Sequence, residues 1–423
     1  MEALPCGHVA LAGTGRMCAH LAGREEAPFY AHLTGNGLEF DLRCPDCDTA
    51  TTPPELLTVC EGCVSRVTAD GTLDELLGWR GEPGVAERLE PADLTVRDEP
   101  VRDDVLDLAP CGSDWLLLRE NPVRLSTVDG SREIEVPVAF DEPPGFRGQH
   151  APRGALHASR SGRFAAVVTD HGQRGVVVNL HTAKVTLSMD RGTAHVEQTS
   201  FPLAFLEIGG REVVAHGTDW NRVDLSDPET GEPLTPREHE RHHLDYFYGA
   251  LRASPDGRWL ASDGWAWSPA GLPCSWNAER WLTENVWESE DGPTRRWLCQ
   301  RWYHWNTGMC WLGDHTLAIT GIGPDDEIMI DGVRIFDVST GAEVRRFAGP
   351  RGRLLSDGHR LYSVDESGST AWDPLTGEKT LVLDGFHPSR WHPETGELAG
   401  VTPCRAGSPR SFRRWRPPRS SSC

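Results

Sequence analysis

The sequence predicts a mostly-β protein in two parts: a small cysteine-bound module, then a long run of repeated four-stranded units. Three observations carry this. Six of the twelve cysteines fall before residue 64. From about Val101, short apolar strands alternate with turns rich in Gly, Asp and Pro, with no long helical periodicity. A turn-then-strand unit recurs, its glycine at Gly112, Gly162, Gly210, Gly257, Gly313, Gly358 and Gly396, at spacings of 50, 48, 47, 56, 45 and 38 residues.

The first part covers residues 1–70. "CPDCDTATTPPELLTVCEGC" sets the pair Cys44/Cys47 twelve residues before the pair Cys60/Cys63. Two thiolates three positions apart on a tight turn point the same way, and two such turns close a tetrahedral S4 site that suits zinc. Redox chemistry would want a strand-to-helix context after each pair, which the short "TTPP" loop does not supply. Upstream, Cys6/His8 and Cys18/His20 repeat a Cys-x-His unit, which gives eight ligand-type side chains in under 60 residues. One zinc ion is expected, and a second follows if the Cys-x-His units also bind. Their pairing is not readable from spacing: Cys6/His8 can close with Cys44/Cys47 or with Cys18/His20. A closed site contributes folding energy and no chemistry, so the module reads as a docking element.

Residues 71–99 read as a linker in which "TLDELLGW" makes one short helix. Residues 100–423 hold the repeats. The template is "SPDGRWLAS" from Ser254. A second unit follows most copies, as in "VRIFDVSTGAEVRRF" at Val333 and "TAWDPLTGEKTLVL" at Thr370, where an acidic turn joins two antiparallel strands. Seven units of about 46 residues, each with roughly four strands, describe a seven-bladed β-propeller. The last unit is one strand short, and "DLTVRDEP" before the first can supply the missing outer strand and remove two open edges.

"AWDPLTGE" carries a Trp-Asp dipeptide at Trp372/Asp373, and with the blade-length repeats it resembles WD-repeat and related bacterial propellers over about 320 of the 423 residues. The Gly-His dipeptide of those repeats does not recur here: within the repeats it stands once, at Gly358/His359. Only Lys184 and Lys379 are lysines among 42 basic residues, and this arginine excess with abundant Ala, Gly and Pro resembles high-GC, actinobacterial-type composition.

A net charge of −21 argues against non-specific nucleic-acid binding. Residues 1–70 hold four arginines against ten acids, so the first module is no exception. Six arginines and no acid lie from Arg405 to Arg419, which reads as a strand and tail made soluble by arginine, or as a contact for an acidic partner. The start lacks the basic and apolar stretches of a secretory signal, and no apolar run reaches the roughly 18 residues of a membrane span. A cytoplasmic protein with no membrane partner is the expectation.

No catalytic motif is found. His239, His242, His243 and Asp245 lie in a charged run that reads as a solvated loop. Asp325, Asp326 and Glu327 read as an acidic hairpin tip. Ten of the sixteen tryptophans lie between Trp259 and Trp311, where the repeat spacing is longest. Trp281, Trp287, Trp297, Trp302 and Trp305 exceed what one blade needs, so they are either a partner-binding surface, with Trp297, Trp302 and Trp305 as its candidates, or an insertion packed on its own blade. The expected function is a non-enzymatic scaffold: the propeller binds a protein or peptide and the zinc module adds a second contact. The alternative is a propeller hydrolase or isomerase with Asp263, His304, Asp325 and Asp326 at the central channel.

Overall fold

The computed structural model describes residues 14–22, 24, 29–33, 40–50, 52, 54–60, 63, 87–88, 97–101, 104–140, 142, 150, 152–238, 244–267, 269–327, 329–402 and 411–417. The chain divides into two compact units, Met1–Gly81 and Glu82–Cys423. The "TLDELLGW" segment, Cys6, His8, His239, His242 and His243 lie outside the described residues.

The first unit contains a four-stranded sheet. Thr14–Cys18 is its hinge strand: it pairs in parallel with Phe40–Arg43 and antiparallel with Leu56–Cys60, while Tyr30–Leu33 flanks Phe40–Arg43. A single turn of helix, Pro45–Asp48, follows Phe40–Arg43, with proline at its first position, where no backbone donor is needed. The buried core holds Met17, Leu21, Phe29, Leu42 and Val59 together with four cysteines. So small an apolar set is marginal by itself.

The second unit is mostly β, built from consecutive antiparallel sheets here numbered I to VII. Sheet I is the meander Val105–Cys111, Asp114–Arg119, Arg124–Thr127 and Glu133–Glu135; sheet II is Arg153–Ala158, Phe164–Asp170, Arg174–Asn179 and Lys184–Asp190. Sheet III has Leu203–Ile208, Arg211–Asp219 and Arg222–Ser226. Sheet IV is led by Phe247–Ala253 and Trp259–Ala266, and extended by Ala270–Gly271, Cys274–Asn277, Arg296–Trp297 and Arg301–Trp302. Sheet V is Met309–Trp311, Thr316–Ile322, Ile330–Asp337 and Ala342–Ala348; sheet VI begins Arg353–Ser356, Leu361–Asp365, Gly368–Trp372 and Lys379–Asp384. Sheet VII has Arg390–His392, Glu397–Thr402 and Ser411–Trp415.

Two short strands from the 71–99 segment join the last two sheets. Glu87–Arg88 pairs in parallel with Lys379–Asp384. Arg97–Pro100 pairs antiparallel with Ser411–Trp415, Ser411 facing Pro100 and Arg414 facing Arg97. The outer strand of sheet VII therefore comes from ahead of sheet I, as the one-strand deficit of the last repeat implied. Arg414 also reaches Glu99 at 2.6 Å, so this arginine serves pairing within the sheet.

Both faces of the middle strands are covered, which is why they read as continuous apolar runs rather than alternating ones. Every residue of Phe164–Asp170 is buried. Seven apolar clusters each join one sheet to the next: Leu118 and Val167 between I and II, Val168 and Val214 between II and III, and Val223 and Trp276 between III and IV. Trp259 and Phe336 join IV to V, Ile335 and Trp372 join V to VI, and Tyr362 and Leu398 join VI to VII. The seventh joins VII to I, with Phe412 and Ala399 against Trp115 and Leu108.

The turns follow from side-chain caps. In "SPDGRW" the Ser254 hydroxyl accepts from Trp259 N at 3.0 Å, Asp256 accepts from Arg258 N at 3.1 Å, and Gly257 takes φ +73°. In "DPLTGE", Asp373 accepts from Leu375 N at 2.7 Å and Gly377 takes φ +78°. These positions favour glycine because only it enters the left-handed region at no cost. At Gly257 there is also no room: a Cβ would lie 2.4 Å from the Glu207 carbonyl oxygen of sheet III. Gly257→Ala is expected to cost about 2–3 kcal/mol in urea unfolding, against about 1 kcal/mol for Gly358→Ala. Gly358 has φ +85° and open space around it, so it isolates the backbone contribution. Equal losses would count against the Glu207 contact.

The tryptophan-rich extension of sheet IV is packed onto its own sheet and sheet III. Trp276 and Trp281 are fully buried. The helix Ala278–Thr283 starts where Asn277 accepts from Arg280 N at 2.8 Å, the usual side-chain cap. The Arg237 side chain, 0% exposed, bonds Asp224 at 2.9 Å and Glu290, so the extension is tied to sheet III by a buried ion network.

Candidate functional site

Parallel pairing explains the clearest constellation of chemical groups. Arg16 faces Asp41 and Met17 faces Leu42, so the two chains leave the sheet side by side, one into Cys18 and the other into Cys44. After Cys18 the chain turns, with Leu21 N donating to Cys18 O at 3.0 Å, and this carries His20 back over the same end. Cys44 sits at the N-terminus of Pro45–Asp48 with extended backbone, and Cys47 lies one turn on.

The donor atoms of Cys18, His20, Cys44 and Cys47 all lie within 4.8 Å of one another. His20 Nδ1 is 3.1 Å from Cys47 Sγ and 3.8 Å from Cys44 Sγ, and Cys44 N donates to Cys18 Sγ at 3.3 Å. The three cysteines are buried and His20 is exposed. Burial works to raise the Cys18 thiol, but the N–H groups of Cys44 and Leu21 outweigh it and hold the thiol below its ordinary value. Cys47 is pushed up to about 12, by burial and then by the Cys44 and Cys18 sulfurs. Three sulfurs this close carry three negative charges only with a cation among them. The set can hold a metal ion.

This grouping differs from the one the spacing suggested. In the antiparallel ladder Cys18 faces Leu56 and Cys60 faces Thr14, so Cys60 stands four residues away, about 13 Å along the strand. Among the described residues, the ligand-type side chains grouped with Cys44/Cys47 are Cys18/His20. Cys63 is buried in the same core and outside the four-atom set, the side chain of Cys60 is outside the described residues, and Cys6 and His8 are too.

Of the singled-out tryptophans, Trp297, Trp302 and Trp305 are each half-buried. Trp297 lies edge-on to Tyr246 at 5.2 Å, with the Arg295 guanidinium 4.1 Å over its ring. Trp302 is held in a two-residue strand against Ala270–Gly271. Trp305 stacks on Trp265 at 5.1 Å and donates its indole N–H to Gln198 O at 2.9 Å. Trp265 in turn stacks on Phe247 at 4.4 Å, with Trp267 and His195 edge-on to both. Sequence reasoning passed over the exposed members of this group, Trp267 at 54% and Tyr303 at 61%. Three non-glycine residues with positive φ, His195, Tyr303 and Asn306, frame it. Such conformations cost about 1 kcal/mol or more and gather at functional surfaces. No composition or spacing signal distinguishes Trp267 from its core neighbours.

Asp263 is 1% exposed and committed: Arg301 bonds it at 3.3 Å, the Thr307 hydroxyl at 3.2 Å, and Thr307 N donates to it as well. Burial raises its carboxyl above the usual range despite Arg301. His304, half-buried, is lowered to about 4 by burial and by Arg301, with Asp326 opposing. Asp325 bridges Trp302, and Asp326 N donates to Trp302 O at 3.1 Å. These groups lie around one loop, but the Asp263 oxygens are occupied in holding it. Asp245, Asp326 and Glu327 are exposed. No helix among the described residues is long and apolar enough to cross a membrane. No family model matches the chain, and no curated protein matches it.

Proposed function

We propose that the chain is a non-enzymatic interaction scaffold in which a zinc-bound module accompanies a seven-bladed β-propeller. The single observation that carries the propeller reading is the circuit of contacts. The first strands of sheets I to VII touch in order, and Arg390–His392 of sheet VII returns to Val105–Cys111 of sheet I. Among the described residues seven apolar clusters link the seven sheets in succession, the last between sheets VII and I, which supports a ring of blades. The repeat spacing and the Trp372/Asp373 turn support the likeness to WD-repeat propellers in architecture.

Zinc is the ion the donor set favours. Three thiolates and an imidazole suit tetrahedral, borderline-soft zinc, whose roughly 2.3 Å bonds to sulfur fit donors packed this closely. A second zinc, on Cys6, His8, Cys60 and Cys63, uses the ligands left over. Metal content of the full chain separates two ions from one.

The partner surface centres on exposed Trp267 and Tyr303, with half-buried Trp302 and Trp305 beside them. Exposed aromatics on a rigid sheet bury a large area at low entropic cost, and a protein or peptide is the occupant such a surface suits. The test is affinity purification of the intact chain beside the Trp267→Ala/Trp302→Ala/Trp305→Ala variant. A partner held by the first and lost by the second, with melting unchanged, supports the surface. A partner retained by both removes it.

A further inference from the structure

In a chain of net charge −21, the first strands of the sheets carry an excess of positive charge. Arg153 opens the first strand of sheet II, Arg252 lies in that of sheet IV, Arg353 opens that of sheet VI and Arg390 that of sheet VII. His157 of sheet II and Asp107 of sheet I complete the group. Arg390 bonds Asp107 at 2.8 Å, and Asp107 also accepts from Leu156 N at 3.0 Å, which ties sheets VII, I and II together at this level. Arg153 pairs with Asp170 at 3.2 Å. Arg252 donates to Leu251 O at 3.2 Å, and among the described residues neither Arg252 nor Arg353 has a carboxylate within ion-pair distance. Both side chains are open to water.

The charges act on one another. Arg252 and Arg353 are both lowered, by the surrounding protein and then by Arg390, and Arg353 also feels Arg153 and Arg252. His157 is lowered to about 4 by burial, Arg390 and Arg252, so it is neutral at pH 7. Four guanidiniums act with two carboxylates, Asp107 and Asp170, while Asp263, which also acts on Arg252, is itself paired with Arg301, so two positive charges are left over. A protein-walled space of one sign concentrates the opposite ion. Guanidinium forks match the oxygens of phosphate or carboxylate, and two unbalanced charges match a dianion better than a monoanion.

We propose that this inner ring is a binding site for a phosphate-type dianion, held by Arg252 and Arg353 with Arg390 as third donor. The proposal rests on the ring of sheets proposed above. The probe is inorganic phosphate, titrated calorimetrically into the full chain at constant ionic strength, with acetate and succinate in parallel. Saturable binding of one phosphate per chain is expected, weakened about tenfold or more in Arg252→Gln/Arg353→Gln. Phosphate should also raise the His157 imidazole pKa in the unmodified protein, followed by NMR, which keeps the test open should the double variant not fold. No saturable phosphate binding to roughly 10 mM overturns the site, as does an unmoved His157. Succinate binding tighter than phosphate overturns the ligand class. A cooperative melt retained in any of these outcomes places the failure in the anion site and leaves the ring of sheets standing.

Discussion

Cys47→Ser is expected to remove one zinc ion per chain and to unfold the first unit while the second stays folded. The reason is the size of the core. Among the described residues nine buried ones make it up, and four of them are cysteines, three in the metal set. A structural zinc site supplies on the order of 10 kcal/mol of binding energy at neutral pH, more than the whole stability of many small domains. Losing one of four ligands in a closed site removes most of that. The measurement is zinc per chain by elemental analysis, with limited proteolysis of the full chain to follow residues 14–63. Cys111→Ser is the comparison: that thiol lies in sheet I, is raised to about 11 by burial, and is not one of the four grouped donors. It should leave the zinc content unchanged. Equal zinc in Cys47→Ser and the unmodified protein would sink the site.

Deleting residues 93–103 is expected to destabilise the whole second unit. The deletion removes Arg97–Pro100 from sheet VII and exposes the edge of Ser411–Trp415. It also removes the ion pair between Glu99 and Arg414, and Val101, which packs on the cluster joining sheets VII and I. At about 1 kcal/mol for each lost ladder bond, plus the uncovered apolar surface, the loss comes to about 4–6 kcal/mol. For a unit of this size that corresponds to a fall in Tm of roughly 10 °C. Deleting Glu87–Arg88 is the internal comparison. Those two residues add a fifth strand to a sheet that is already four strands wide, so the fall should be much smaller. An unchanged Tm after removal of 93–103 would refute a closing role for the strand.

The β architecture was legible because it repeats. A glycine turn, at positive φ in six of the seven copies, followed by an apolar strand leaves a recurring mark, and the seven marks fall on seven successive sheets. The missing last strand was legible for the same reason: a four-strand period with three strands left requires a fourth from elsewhere. The metal ligands were legible as residue types and not as a set. Spacing pairs Cys44/Cys47 with their nearest neighbours in sequence, Cys60/Cys63. The parallel pairing of Thr14–Cys18 with Phe40–Arg43 brings Cys18/His20 beside Cys44/Cys47, and a parallel ladder between distant segments has no local signal.

The tryptophans divide along similar lines. Their excess marks the extension of sheet IV, and the stretch 295–311 splits where the repeat register predicts, with Trp311 buried in the first strand of sheet V. Which of them face water depends on side-chain contacts. Trp281 is sealed by its own helix and Trp267 is left open, though both are flanked by ordinary residues.

By itself the sequence determined the element types, the repeat count and the chemistry on offer: strands, turns, thiols, imidazoles and guanidiniums. Those depend on residue type and on neighbours within a few positions. Tertiary structure alone decided which groups meet. Cys18 and His20 reach Cys44 and Cys47 across more than twenty residues, and Arg390 of sheet VII reaches Asp107 of sheet I across almost the whole second unit. Such meetings are set by strand register and by sheet-on-sheet packing, whose energies are summed over many contacts and are written at no single position of the chain.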